Sequence, residues 1–167
     1  MNNKKNKLPV LGIDIGRVII GAADMHGKAD TVFLDGDDTA AMNTPATPDA
    51  FEVITKLVDA FQGKVWLVSK CGPRIQARSR RWLKRHRFFE ITGVRQDRLR
   101  FCHKRHEKRG HCVDIGATHF VDDRVDVLKH LREDVPNLFL FGTQKKEPPS
   151  WATHVAHWRA VEAQLLS

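Results

Sequence analysis

Short continuous apolar runs alternate along the chain with segments of helical period. Leu8, Val10, Leu11 and Ile13 form the first run and end on Asp14; Val18 to Ile20 follow after Gly16. An apolar run bounded by turn residues reads as a strand buried on both faces, the central kind in a parallel sheet. It predicts strand one over 8–15. VWLVSK over 65–70, LRFC over 99–102, a run over 118–121 that ends on Asp122 and Asp123, and NLFLFG over 137–142 predict four more.

Between these runs, Phe51, Ile54, Leu57, Val58 and Phe61 recur at helical spacing, with Thr47 or Asp49 able to cap the helix and Gly63 to stop it. The stretch 74–89 predicts one very basic helix with Ile75, Trp82 and Phe89 as its apolar positions. A polar stretch over 103–115 is helical in its latter half, and 125–131 is a short helix. The stretch 151–166 predicts a C-terminal amphipathic helix with Val155, Trp158, Val161 and Leu165 on one face. Residues 17–46 hold two β-like runs, 18–23 and 31–34, split by turn-prone residues, which suggests a hairpin flap. Residues 1–7 read as a disordered arm.

Strands alternating with helices predict a single α/β domain over 8–167, a Rossmann-like three-layer sandwich with a mostly parallel five-stranded sheet and a small β-hairpin flap. A chain of 167 residues is long enough to bury a real core. No window approaches the roughly 18 apolar residues of a membrane span, and the basic N-terminus lacks a cleavable signal, so the expected location is cytoplasmic without membrane association. Three cysteines, Cys71, Cys102 and Cys112, argue against a disulfide framework. Net charge is +8, with the excess concentrated over 74–109. Such a surface attracts phosphates, on a small substrate or along a nucleic acid, or is a solvated helix face. Nothing bears on oligomeric state.

Three predicted strands end on informative residues: Asp14, then Ser69 and Lys70, then Asp122 and Asp123. In a parallel sheet these ends share one edge, where ligands of open α/β sheets bind. Clustered carboxylates repel unless a cation neutralises them, and Mg²⁺ with oxygen ligands is the usual solution. Cys102, His103, His106, His111 and Cys112 are suited to zinc by type, but their spacing matches no common pattern. The four tryptophans read as core and packing residues.

In LGIDIGRVI, VWLVSK, Lys108 and FVDDR, taken in order, the sequence resembles the haloacid dehalogenase (HAD) superfamily over roughly 8–142. The resemblance implies a phosphohydrolase acting on a phosphorylated substrate, with Asp14 as nucleophile forming an aspartyl-phosphate. It implies that Ser69 bonds the phosphoryl group, that Lys108 holds nucleophile and phosphate together, and that Arg17 and Lys70 join Ser69 in substrate binding. Asp14, the Gly16 carbonyl, Asp122 and Asp123 would hold Mg²⁺. The family's general-acid Asp is here Gly16, leaving Arg17, His26 or a flap carboxylate to supply a proton, or a substrate with a good leaving group. VFLDGDDT is a rival first motif, with Asp35 as nucleophile and Asp37 as acid, and Lys104 is a rival to Lys108. The alternative function is a weakly active or inactive protein that binds nucleic acid or a protein partner through its basic face.

Overall fold

The computed structural model of the protein describes residues 8–21 and 28–167. The first apolar run becomes β1 (Leu11–Ile13), fully buried. β1 pairs in parallel with β2 (Val65–Lys70) on one side and β4 (His119–Asp122) on the other, with Ile13 opposite both Leu67 and Val121. β3 (Leu99–Cys102) lies outside β2. β5 (Asn137–Phe141) and β6 (Thr153–Val155) lie outside β4. The sheet is parallel throughout, in the order β3-β2-β1-β4-β5-β6. It has six strands where five were expected.

The extra strand comes out of the predicted C-terminal helix. Val155 pairs with Phe141, and its carbonyl accepts from the Gly142 N–H at 2.9 Å, so 153–155 belongs to the sheet. The helix begins only at Trp158, where His157 Nδ1 accepts from the Ala160 N–H at 3.2 Å. Val155 and Trp158 share helical spacing because a strand residue and the first helical residue enter the same core.

One face of the sheet carries α3 (Ala50–Ala60), α4 (Pro73–Arg85), α5 (Phe88–Thr92) and α8 (Trp158–Leu165), whose Leu57, Trp82, Phe88 and Trp158 are buried with Leu11, Ile13 and Leu67. The other face carries α6 (Glu107–Ile115) and α7 (Val125–Leu131), packed through Cys112, Leu128 and Leu131 on Val68 and Phe120. The single helix expected over 74–89 is two, because Arg87 turns left-handed at φ 54° and starts α5. Gly12 of β1 faces Phe120 of β4, and a Cβ there would stand 2.5 Å from a ring carbon. Only glycine fits this close approach.

The second run of the segment expected as a β-hairpin is helical: α1 (Lys28–Asp35), with α2 (Asp38–Met42) after it. The cause is tertiary. Arg78 of α4 is 5% exposed, and its Nη1 donates to the carbonyls of Phe33 and Gly36 at 2.9 Å each. Arg74 Nη2 donates to the Leu34 carbonyl at 2.9 Å. These guanidiniums satisfy carbonyls that a helix C-terminus leaves without partners, so 31–34 is helix despite its β-branched and aromatic residues. Asp37 caps α2 by accepting from the Ala40 N–H at 2.7 Å. Trp82 Nε1 and His86 Nε2 then donate to the Thr44 and Met42 carbonyls at 2.9 and 2.8 Å. The first run, 18–23, is described only to Gly21, where Ile20 bridges Ala46. Its last two residues, His26 and the arm at 1–7 lie outside the described residues.

Candidate active site

Strand order reverses at β1, whose next strand in the chain lies on one side and β4 on the other. That geometry opens a crevice off their carboxyl ends. β1 runs out into Asp14, whose N–H donates to the Val121 carbonyl at 3.0 Å, so the strand ends of β1 and β4 are tied together. β4 runs out into Asp122 and Asp123. The carboxylates of Asp14, Asp122 and Asp123 approach one another within 4.8 Å, the one such group of metal-binding side chains among the described residues. The cysteines and histidines over 102–112 form no such group there.

α6 delivers the cation. Lys108, in its first turn, is 2% exposed and donates from Nζ to Asp14 Oδ1 at 2.9 Å and to Asp122 Oδ2 at 2.8 Å. The other oxygen of Asp122 accepts from the Arg124 N–H at 2.9 Å. Asp122 is thus fully engaged by the protein, while Lys108 reaches Asp14 through Oδ1. Burial opposes charge on Lys108, but Asp122 and Asp14 outweigh it and hold the ammonium well above the usual lysine range. Burial and the neighbouring Asp14 charge raise the Asp122 carboxyl. The Asp123 carboxyl is pushed up to about 8, by burial first and then by Asp14 and Asp122, against the opposing charges of Arg124 and Arg17.

Arg17 occupies a left-handed conformation at φ 62° inside the tight loop that follows Asp14, where its N–H donates to the Ile20 carbonyl at 2.9 Å. Left-handed backbone outside glycine is strain that functional sites often store. Gly16 stands in the same loop with open space where a side chain would be. Ser69 is buried at the end of β2 and Lys70 beside it is exposed, both on the edge that carries Asp14. The thiol of Cys71 next to them is pushed up to about 11 by burial, opposed by a hydrogen bond with Ser69.

The rivals lie elsewhere. Asp35 ends α1 rather than a strand and is exposed. Asp37 is a helix cap, and Asp38 is bonded by Arg78 at 3.0 Å and Arg81 at 3.1 Å. Lys104 is exposed where Lys108 is buried. Sequence reasoning missed Gln144, which reads as part of a linker but donates to the carbonyls of Asp123 at 3.1 Å and Phe141 at 3.0 Å. Its signal is position alone, just past another parallel strand end.

No protein-family model and no curated protein matches the sequence. Solved structures do. One, described as a haloacid dehalogenase-like hydrolase from Burkholderia xenovorans LB400, is 12% identical with a TM-score of 0.61, over 95% of this chain and 98% of that one. A second, a dehalogenase in an intermediate complex, is 12% identical with a TM-score of 0.64, over 96% of this chain and 98% of that one. At this identity the likeness speaks to architecture alone: the chain has a haloacid dehalogenase-like α/β fold.

Proposed function

We propose that the protein is a Mg²⁺-dependent phosphohydrolase that works through a phosphorylated Asp14. The observation that carries this reading is Lys108, buried and shared between Asp14 and Asp122 at the reversal point of the sheet. Three acidic side chains share one ammonium, and burial first, then Asp14 and Asp122, raise the Asp123 carboxyl. Hard oxygen donors suit Mg²⁺, so the residues fit the metal. Asp14, Asp123 and the Gly16 carbonyl would hold it, with Asp122 as the anchor of Lys108. Bound there, Mg²⁺ would offset charge between the nucleophile and the phosphate oxygens.

The chain's own groups do the rest. Lys108 occupies Oδ1 of Asp14 and leaves Oδ2 to attack phosphorus. A bond forms from Oδ2 to phosphorus as the bond to the leaving oxygen breaks, and its electron pair departs with the leaving group. Ser69, Arg17 and Lys70 bind the phosphoryl oxygens. Water then attacks the same phosphorus, which releases inorganic phosphate and restores the Asp14 carboxylate. Gly16 offers no proton, so leaving groups that depart as stable anions are favoured. The test is turnover of p-nitrophenyl phosphate with Mg²⁺ and with EDTA. The expected result is turnover by wild type only with Mg²⁺, reduced to background in Asp14→Asn. Retained turnover in Asp14→Asn overturns the reading.

A further inference from the structure

The α4 helix carries two kinds of cation. Arg78 faces inward and is consumed in holding 33–38. Arg80, Arg81, Lys84 and Arg85 are exposed, spaced so that they share the outer side of the helix. The 13 residues of α4 contain no acid. Arg80 rests over the Phe101 ring at 5.1 Å, Arg81 touches exposed Asp38 in a weak surface pair, and Lys84 and Arg85 form no ion pair among the described residues. This is a strip of largely uncompensated positive charge about 8 Å long along the helix axis.

Its direction matters as much as its charge. α4 starts at Pro73, four residues after Ser69, and runs from the edge of the sheet that holds Asp14 toward the opposite edge. The strip begins about 10 Å along the helix from Pro73, so a polyanion seated on it and continued toward the helix start has its end at the candidate active site. The apolar side of α4 is spent on the core, through Trp82 and Leu83, so no apolar face remains to enter a lipid surface. Arginine dominates the strip, and its planar fork matches phosphodiester oxygens.

We infer that the outer face of α4, centred on Arg80, Lys84 and Arg85, docks a single nucleic-acid strand and presents its terminal phosphate at the strand-end crevice. The second half rests on the phosphohydrolase reading; the first does not. One strand suffices because a single helix face offers one row of phosphate contacts.

The test uses 3′-fluorescein dT12 in fluorescence anisotropy across a salt series, with wild type, Arg80→Ala/Lys84→Ala/Arg85→Ala, and Lys129→Ala/Arg132→Ala, which strips charge from α7 on the other face. Thermal melts confirm folding. The expected result for the α4 variant is at least tenfold weaker binding and a log–log salt slope shallower by about 2, from three contacts at about 0.7 each. The α7 variant binds within twofold of wild type. With 5′-phosphorylated dT12, the ratio of kcat/KM for the oligonucleotide to that for p-nitrophenyl phosphate falls at least tenfold in the α4 variant. Binding unchanged in the α4 variant, equal loss in the α7 variant, or equal affinity of wild type for polyglutamate or phosphatidylserine vesicles overturns the docking. Bound dT12 without any phosphatase activity keeps the docking and removes the phosphohydrolase reading; turnover of p-nitrophenyl phosphate without bound dT12 does the reverse.

Discussion

Replacing Lys108 by Met removes one charge from the centre of the site and little volume. Asp14 and Asp122 then face each other with no ammonium between them, at 4.8 Å or closer. Two unit charges at that separation repel by about 3.5 kcal/mol at an effective dielectric of about 20. The protein can escape by protonating one acid. Relative to the unfolded chain, where the carboxyl keeps its ordinary 3.8, holding one acid neutral costs folding about 4 kcal/mol at pH 7 and about 1.6 at pH 5, at 1.36 kcal/mol per pH unit. The penalty therefore has a ceiling that falls with pH. Urea unfolding followed by tryptophan fluorescence, in EDTA, is the assay. The expected loss is about 3–4 kcal/mol at pH 7, the range seen when one partner of a buried ion pair is removed, and about 1–2 kcal/mol at pH 5. Lys108→Met/Asp122→Asn should recover at least half of the loss at pH 7, because the lysine and one carboxylate leave together. An equal loss at both pH values, or a loss under about 1 kcal/mol at pH 7, would refute the electrostatic account of Lys108.

Three further outcomes follow from the geometry. The raised Asp123 carboxyl stabilises the fold fully below its ordinary 3.8 and loses that contribution as pH climbs toward 8; between pH 6.5 and 8 in EDTA, Tm should therefore fall, Mg²⁺ should offset the fall, and Asp123→Asn should flatten it, so a Tm flat across that range in wild type contradicts the expectation. Arg78→Met strands the buried carbonyls of Phe33 and Gly36 and should cost about 2–4 kcal/mol in urea unfolding, with faster hydrogen exchange over 33–44; Arg78→Lys should not restore it, having no fork. Gly12→Ala drives a methyl into the Phe120 ring and should cost about 1–3 kcal/mol of overpacking, read as a lower Tm; an unchanged Tm contradicts the close approach.

The sheet reads directly from the chain where strands are buried on both faces, because Leu11–Ile13 and Val65–Lys70 then appear as apolar runs that stop at polar residues. The acids that converge stand at those stops. Lys108 is a harder case. On a polar helix its burial shows only as pairing with Cys112 four residues on, and the resemblance picks it out where local pattern does not. Residues 31–34 mislead because the determinants of their helix are Arg74 and Arg78, some forty positions away. β6 misleads because three residues are too few to display a period of two.

The grip of α4 on 33–44 falls mainly on main-chain oxygen atoms: those of Phe33, Leu34 and Gly36 to arginines, Met42 to His86, Thr44 to Trp82. A path fastened by its backbone leaves exposed positions such as Asp35, Thr39 and Asn43 at liberty to diversify, with Phe33, Gly36, Asp37, Asp38, Ala41 and Thr44 as the fixed points. The burden of inheritance shifts to the helix that does the holding. Sequence drift at those exposed positions can therefore run far without moving the loop, whereas a single exchange at Arg78 releases it.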